Sequence, residues 1–329
     1  MILRSSDTFL FSVLFLFCAP FTHAEWHNSG ADIMGTRVTV ELWHRDKTVA
    51  EQSIAAVLAD MRAVEQLMSP YIASSELYKL NETAADAAVV VSEPLFSLIA
   101  KSLYFSKLSD GAFDISFASV GRFYRYRERL APDDKQRLQH LSAINYQLIE
   151  LNNNDRSIRF NHPQLKIDLG GIAKGYAVDR AIDLLERRGI DSAYVSAGGD
   201  SRILGDRRGT PWVIGIRHPR RDGEYAVKIP LIDTAMSTSG DYERFYMDGE
   251  IRVHHILNPV TGKSAQQVQS VSILAPLAVD SDALSTTVFV LGIEKGLALV
   301  NRMDDIDAVI IDGNGRMHYS QGLLRAAGR

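Results

Sequence analysis

Lys166-Ile167-Asp168-Leu169-Gly170-Gly171-Ile172-Ala173-Lys174-Gly175-Tyr176-Ala177-Val178-Asp179 reads as a short apolar strand that stops at a carboxylate, crosses paired glycines and enters a helix. Such a junction suits a phosphate-bearing ligand. Glycines let backbone N–H groups approach anionic oxygens, a helix start offers unpaired donors and the positive end of its dipole, and Lys174 adds a mobile cation. The spacing excludes the two commonest nucleotide loops. There is no G-x-G-x-x-G, and a P-loop needs Lys then Ser or Thr after its last glycine, where Gly175-Tyr176 stands. An ordinary strand-to-helix turn that uses glycine for tight packing is the alternative reading.

Downstream, Tyr176 to Arg188 is amphipathic, with Ala177, Ala181, Ile182 and Leu185 opposed to Asp179, Asp183, Glu186 and Arg187, and it closes at Gly189. Strands are expected at Ser192–Ala197, Trp212–Arg217, Tyr225–Ile229 and Ser270–Ala275, with hairpins turning at Asp248-Gly249 and Asp312-Gly313. Asp280–Leu291 and Lys295–Met303 read as helices. Upstream, Arg37–Trp43 alternates as a strand, Thr48–Leu67 and Glu93–Leu108 have helical spacing, and a hairpin is expected around Asn152–Asp155. Hairpins and helices mix without regular βαβ alternation, which favours α+β over a doubly wound parallel sheet. No linker or repeat marks a domain boundary, so residues 25–329 are expected to form one domain.

Arg4, the apolar run Phe9–Phe17 and Thr22-His23-Ala24 fit the three zones of a secretory signal, residues 1–24. The run is shorter than the ~20 residues a membrane span needs, and no later segment is expected to approach that length. Phe17 precedes Cys18 where a lipoprotein signal wants a small residue, which argues against lipid anchoring. Cys18 is the one cysteine, so a processed chain has neither disulfides nor thiolate metal sites. A net charge of −4 gives no basic bias and makes nucleic acid an unsuitable partner.

Three further clusters could carry chemistry. Asp282-Ala283-Leu284-Ser285-Thr286 sets a carboxylate and two hydroxyls on one helix face, hard oxygen donors of the kind Mg²⁺ takes, unless Asp280 or Asp282 serves as a helix N-cap. His254 and His255 lie on a strand, so only one can face a given site. Thr234 to Tyr242 places hydroxyls before a glycine, which either bind phosphate or turn the chain. Ser196-Ala197-Gly198-Gly199-Asp200 reads as structural.

In order, Met34-Gly35-Thr36, Ser69-Pro70-Tyr71, Gly111-Ala112-Phe113-Asp114, Asp168 to Gly175, Ser237 to Tyr242, His255-Ile256-Leu257-Asn258-Pro259 and Asp282 to Thr286 resemble the ApbE family of FAD:protein FMN transferases across nearly the whole chain after residue 24. The resemblance implies an α+β, T-fold-related fold of mixed, largely antiparallel sheets flanked by helices, with an FAD cleft between two lobes. It implies a periplasmic, Mg²⁺-dependent enzyme that cuts the FAD pyrophosphate, joins FMN through its phosphate to a Thr or Ser hydroxyl of an acceptor and releases AMP. Acceptors would be subunits of electron-transport complexes of the sodium-pumping (Nqr) or Rnf type, with peripheral inner-membrane association. Alternatives are an FAD pyrophosphatase giving FMN and AMP, and a non-catalytic FAD-binding protein. By position, Met34, Tyr71, Ala112, Phe113, Asp114, Asp168, Lys174 and Ile256 resemble the FAD contacts, with Tyr71 and Phe113 flanking flat rings. Gly171 (through its carbonyl), Asp282, Ser285 and Thr286 resemble the Mg²⁺ set. His255, with Asp282, resembles the catalytic pair, and His254 should then face away. Three departures stand out: Ile115–Tyr124 lacks the family's Pro-Leu and Trp-Gly pattern, Asn258 stands where many relatives have Asp, and Ser285 stands where many have Ala.

Overall fold

A computed structural model describes residues 25–327; the expected signal segment, residues 1–24, lies outside the described residues. Eight strands form the central sheet: β1 (Glu25–Ile33), β2 (Thr36–His44), β3 (Ala193–Ala197), β4 (Asp200–Leu204), β5 (Ala235–Gly240), β6 (Val268–Ala275), β7 (Asp307–Asp312) and β8 (Met317–Tyr319). They lie side by side in chain order, and every neighbouring pair is antiparallel. The expected α+β class with largely antiparallel sheets is therefore what the chain adopts. Three helices, α1 (Lys47–Met68), α2 (Ala173–Arg187) and α3 (Ala278–Val300), pack next to one another on one face. The apolar periodicity of α1 and α2 points Val57, Met61, Val64, Ala177, Ala181 and Leu185 into that layer. The other face is covered by the hairpin Trp212–Arg217/Tyr225–Leu231, whose Trp212, Ile216 and Leu231 meet Ile203, Met236, Leu274 and Val309.

The sheet divides into two like halves, each a strand pair, helical layer and second strand pair: β1-β2-α1-α2-β3-β4 and β5-β6-α3-β7-β8. Each half carries an insertion. Residues 69–172 separate α1 from α2 and include the three-stranded sheet Val89–Val90, Ser157–Phe160, Ile149–Asn152. Residues 241–267 separate β5 from β6 and form the hairpins Phe245–Asp248/Ile251–His254 and Leu257–Asn258/Lys263–Ser264.

Several expectations need correction. Lys166–Leu169, expected as a strand, joins no ladder, because side chains take the place of a neighbouring strand. Asn81 both donates to the Ile167 carbonyl (2.9 Å) and accepts from its N–H (2.8 Å). The helix beyond starts at Ala173, so Lys174 and Gly175 lie in its first turn. The hydroxyl run Ser237–Ser239 is a central strand, not a turn, since each hydroxyl finds another across the layer or sheet: Ser237 with Ser281 (2.7 Å), Thr238 with Ser272 (2.8 Å) and Ser239 with Ser285 (2.8 Å). α3, at 23 residues and a mean hydropathy of 1.6 in its most apolar window, is long and apolar enough to cross a membrane by length and composition, contrary to expectation. It instead packs on β5 and β6, and breaks at Gly292 (φ 75°), between the two helices expected there.

Candidate active site

The site grows from the antiparallel contact of α2 with α3. Stepping back four residues at a time along α2 meets successive steps forward on α3. Asp179 caps the first amides of α3, accepting from Ala278 and Val279 (both 2.8 Å), so neither Asp280 nor Asp282 is the N-cap. Gly175 abuts α3 so closely that a Cβ there would lie 2.1 Å from the Ala278 carbonyl oxygen, and its N–H donates to Asp282 Oδ2 (3.0 Å). At Gly171, just before the helix, a Cβ would lie 3.2 Å from Thr286 Oγ1. The glycine bend and the late Asp/Thr pair, over a hundred residues apart in sequence, thus form one wall.

Lys174 is held at its centre. Its Nζ is 2.7 Å from Asp200 Oδ2, 3.4 Å from each Asp282 oxygen and 3.3 Å from the Gly170 carbonyl. Burial alone would lower its pKa, but Asp200 and Asp282 outweigh that and raise it, so the ammonium stays charged. Burial, together with the neighbouring Asp200 carboxylate, raises the pKa of Asp282. Asp200, 2% exposed, lies in a stretch whose sequence reads as structural, yet it is the nearest partner of Lys174. The signal was present: Asp200 follows Gly198-Gly199 at the end of a buried strand, much as Gly170-Gly171 follows Leu169.

The donor set suits Mg²⁺, a hard cation that takes few protein oxygens. The Gly171 carbonyl accepts no hydrogen bond among the described residues, and the absent side chain leaves room beside Thr286. Ser285 is more committed: its hydroxyl donates to the Asp282 carbonyl (2.9 Å) and meets Ser239, which also reaches Thr286 (3.2 Å).

A second wall comes from the 241–267 insertion, where the two histidines diverge. His254, 1% exposed, meets the Ala265 carbonyl through Nε2 (2.6 Å), accepts from Ile256 N–H through Nδ1 (3.3 Å) and packs edge-on to Phe289. His255 is half-buried and its Nδ1 has no partner. Burial, reinforced by Arg244, His254 and Lys174, depresses its pKa to about 3, so the ring is neutral at physiological pH.

Around these walls the sequence-derived contacts separate. Tyr71 is 79% exposed, its hydroxyl 3.4 Å from Asp168 Oδ2. Burial raises the pKa of Asp168, whose Oδ1 accepts from Gly170 N–H (2.8 Å). Met34 sits with Gly35 in a two-residue turn with both φ positive, an unfavourable conformation for methionine, and its N–H donates to Glu65 Oε1 (2.7 Å). Ala112 lines a cavity of about 710 Å³ bounded also by Asn258–Val260 and the kinked part of α3.

Three further expected contacts have side chains that also serve the fold. Phe113, 3% exposed, lies under Gly171 with its ring edge-on to Phe105, so it offers no face to a flat ring. Asp114 accepts from Ser116 N–H, Ser116 Oγ and Tyr146 N–H, leaving it as the cap of a short helical turn. Ile256 is a core side chain whose N–H and carbonyl are both bonded.

The sequence model of the ApbE family matches residues 34–310. A relative from Treponema pallidum (strain Nichols), named FAD:protein FMN transferase, is 31% identical over 89% of this chain and 86% of its own length. Another of the same name, from Klebsiella pneumoniae (strain 342), is 29% identical over 88% of this chain and 90% of its own. Among solved structures, the ApbE protein of Thermotoga maritima matches with a TM-score of 0.83 at 32% identity over 92% of this chain and 99% of that one. Flavin transferase ApbE from Vibrio cholerae matches with a TM-score of 0.82 at 26% identity over the same shares.

Proposed function

The chain belongs to the ApbE family and is an FAD:protein FMN transferase, and on that premise we propose that it works with Mg²⁺, delivers FMN to a Thr or Ser hydroxyl and releases AMP. The observation that carries this reading is the meeting of the Gly171 bend with Asp282 and Thr286, beside a neutral, unpaired His255 that lies close enough to feel the Lys174 charge.

Gly171, Asp282 and Thr286 would hold the ion, with Ser285 bracing Asp282 and Thr286 from behind. When bound, it neutralises charge on the diphosphate oxygens and on the departing AMP. Lys174, fixed by two carboxylates, adds a cation that need not reorganise during reaction. The exposed Tyr71 ring offers a platform for one flat ring of FAD. His255 receives the hydroxyl proton as that oxygen attacks the FMN phosphorus. Its depressed pKa reflects burial and nearby cations, and a bound diphosphate offsets the cations, raising its proton affinity when it is needed.

The same reading places the enzyme in the periplasm, supported by the Phe9–Phe17 run, with acceptors among sodium-pumping or Rnf-type complexes at the inner membrane. The test is incubation with FAD and Mg²⁺, with and without a Thr-bearing acceptor peptide, followed by mass measurement of every component. An FMN adduct with matching AMP is expected. Free FMN and AMP regardless of acceptor would make it a pyrophosphatase, and unchanged FAD would remove catalysis altogether.

A further inference from the structure

Lys174 is compensated by Asp200 and Asp282, and Asp168 adds another carboxylate to the cleft. A diphosphate entering there needs positive charge that is not already spoken for. Arg244 supplies it. The ladder Phe245↔His254 is extended one step by His255 N–H donating to the Arg244 carbonyl (3.1 Å), so Arg244 and His255 are cross-strand neighbours. Directly opposed residues point their side chains to the same face, and the next pair, Phe245 and His254, to the other. Arg244 therefore shares the cleft face with His255. Its guanidinium reaches across to the β1–β2 turn, where a Cβ on Gly35 would lie 3.4 Å from Nη2. Its charge is also felt by Tyr71, Asp168 and His255, groups from three separate segments that surround it.

Arg244 is exposed and makes no ion pair among the described residues. The adjacent carboxylate, Glu243, is occupied by Arg217, and the other arginine of the hairpin, Arg252, lies over Phe245 and beside Asp241. Arg244 is thus a guanidinium without an ion pair, next to the proton acceptor and within electrostatic reach of Asp168 at the Gly170–Gly171 bend.

We propose that Arg244 is a catalytic residue of the transfer step, its guanidinium binding the non-bridging oxygens of the migrating phosphoryl group on the side where the acceptor hydroxyl arrives. The proposal rests on the transferase reading. In that step the acceptor oxygen bonds to the FMN phosphorus, the bond from that phosphorus to the AMP oxygen breaks, the hydroxyl proton passes to His255, and AMP leaves with the bonding pair. Charge on the equatorial oxygens is met from one side by Arg244 and from the other by the opposite wall. A planar guanidinium fits two such oxygens at once, which an ammonium does not.

The test compares wild type, Arg244→Lys and Arg244→Ala, reading FAD affinity by flavin fluorescence and transfer kinetics with a Thr-bearing peptide. Arg244→Ala should lose about 100-fold in kcat while FAD affinity and peptide KM move by no more than about threefold. Added guanidinium ion should restore part of that rate where sodium chloride of equal ionic strength does not, and Arg244→Lys should fall between. Loss confined to FAD affinity, loss confined to peptide KM, or unchanged kcat would each overturn the proposal. If wild type instead hydrolyses FAD, the same comparison is made on FMN release. A wild type that turns over no FAD fails the transferase reading, and this proposal with it.

Discussion

The two walls of the cleft are built on opposite principles. The helical wall, where α2 meets α3, is rigid and nearly every polar group in it is satisfied: Asp179 caps α3, Gly175 N–H meets Asp282, and Lys174 is held by two carboxylates. The hairpin wall presents an unpaired imidazole nitrogen and a guanidinium without an ion pair. The first wall preorganises charge, and the second keeps free valences for a ligand and a proton. If that contrast holds, substitutions in the first should damage fold and chemistry together, and those in the second chemistry alone.

The largest effect is expected at Asp282, which belongs to the helical wall but faces the reaction. Asp282→Ala should lower turnover by about a thousandfold while FAD binding changes by less than about tenfold, because the residue acts on developing charge. Steady-state transfer set beside a fluorescence titration measures both, and equal losses would mean the site only anchors the nucleotide. Next comes Gly175→Ala. Its Cβ would fall 2.1 Å from the Ala278 carbonyl oxygen and 2.8 Å from Asp282 Cβ, so the helices must separate. A stability loss of about 3 kcal/mol is expected from denaturant midpoints, and a neutral result would show that the contact yields.

The two adjacent histidines sharpen the contrast. His254→Ala opens a cavity beside Phe289 and strips the Ala265 carbonyl of its donor, so it should cost about 2–3 kcal/mol. The sequence alone suggested only that it faces away; the structure makes it a core residue. His255→Ala removes a buried nitrogen without a partner, so stability should hold while transfer drops by about 100-fold. Thermal melts and rates on both variants decide, and the reverse pattern would exchange their roles.

A smaller effect separates the walls by pH. His255 has a folded pKa of about 3, below its unfolded value, so the unfolded chain binds its proton first on acidification. The stability gained by keeping the ring neutral is full above about pH 6.5 and is lost as pH falls toward 3. His255→Gln should flatten the melting temperature against pH over that range. An unchanged slope would show that other groups, His254 among them, carry the acid sensitivity.

What could be read from the sequence follows the same division. Periodicity fixed α1, α2 and the break of α3 near Gly292, because local burial repeats every turn. The Gly170-Gly171 bend and the Asp282–Thr286 face could be singled out as candidates by residue type and spacing, and the family resemblance gave them their roles. Ser237–Ser239 was illegible as a strand because its hydroxyls are paired by residues 34 to 46 positions away. The capping role of Asp114 and the burial of Phe113 are not legible in the sequence, because a capping carboxylate and a core ring are written with the same letters as a binding site. Arg244 carries no signal in the sequence, because its meaning lies in the register that sets it opposite His255.

The smallest expected effect is at Tyr71, on the cleft rim. Its backbone N–H donates to Ser69 Oγ (3.2 Å) and its hydroxyl approaches Asp168, while the ring stands in solvent. Nothing in the core depends on it, so Tyr71→Ala should leave stability within about 0.5 kcal/mol of wild type. FAD affinity should nevertheless fall by about 1 kcal/mol, roughly fivefold, if the ring serves as a stacking face. Tyr71→Phe keeps the face and removes the contact with Asp168, so it should retain most of that affinity. A phenylalanine variant as weak as the alanine one would shift the credit from the ring to the hydroxyl, and would join Tyr71 to the satisfied polar groups of the helical wall.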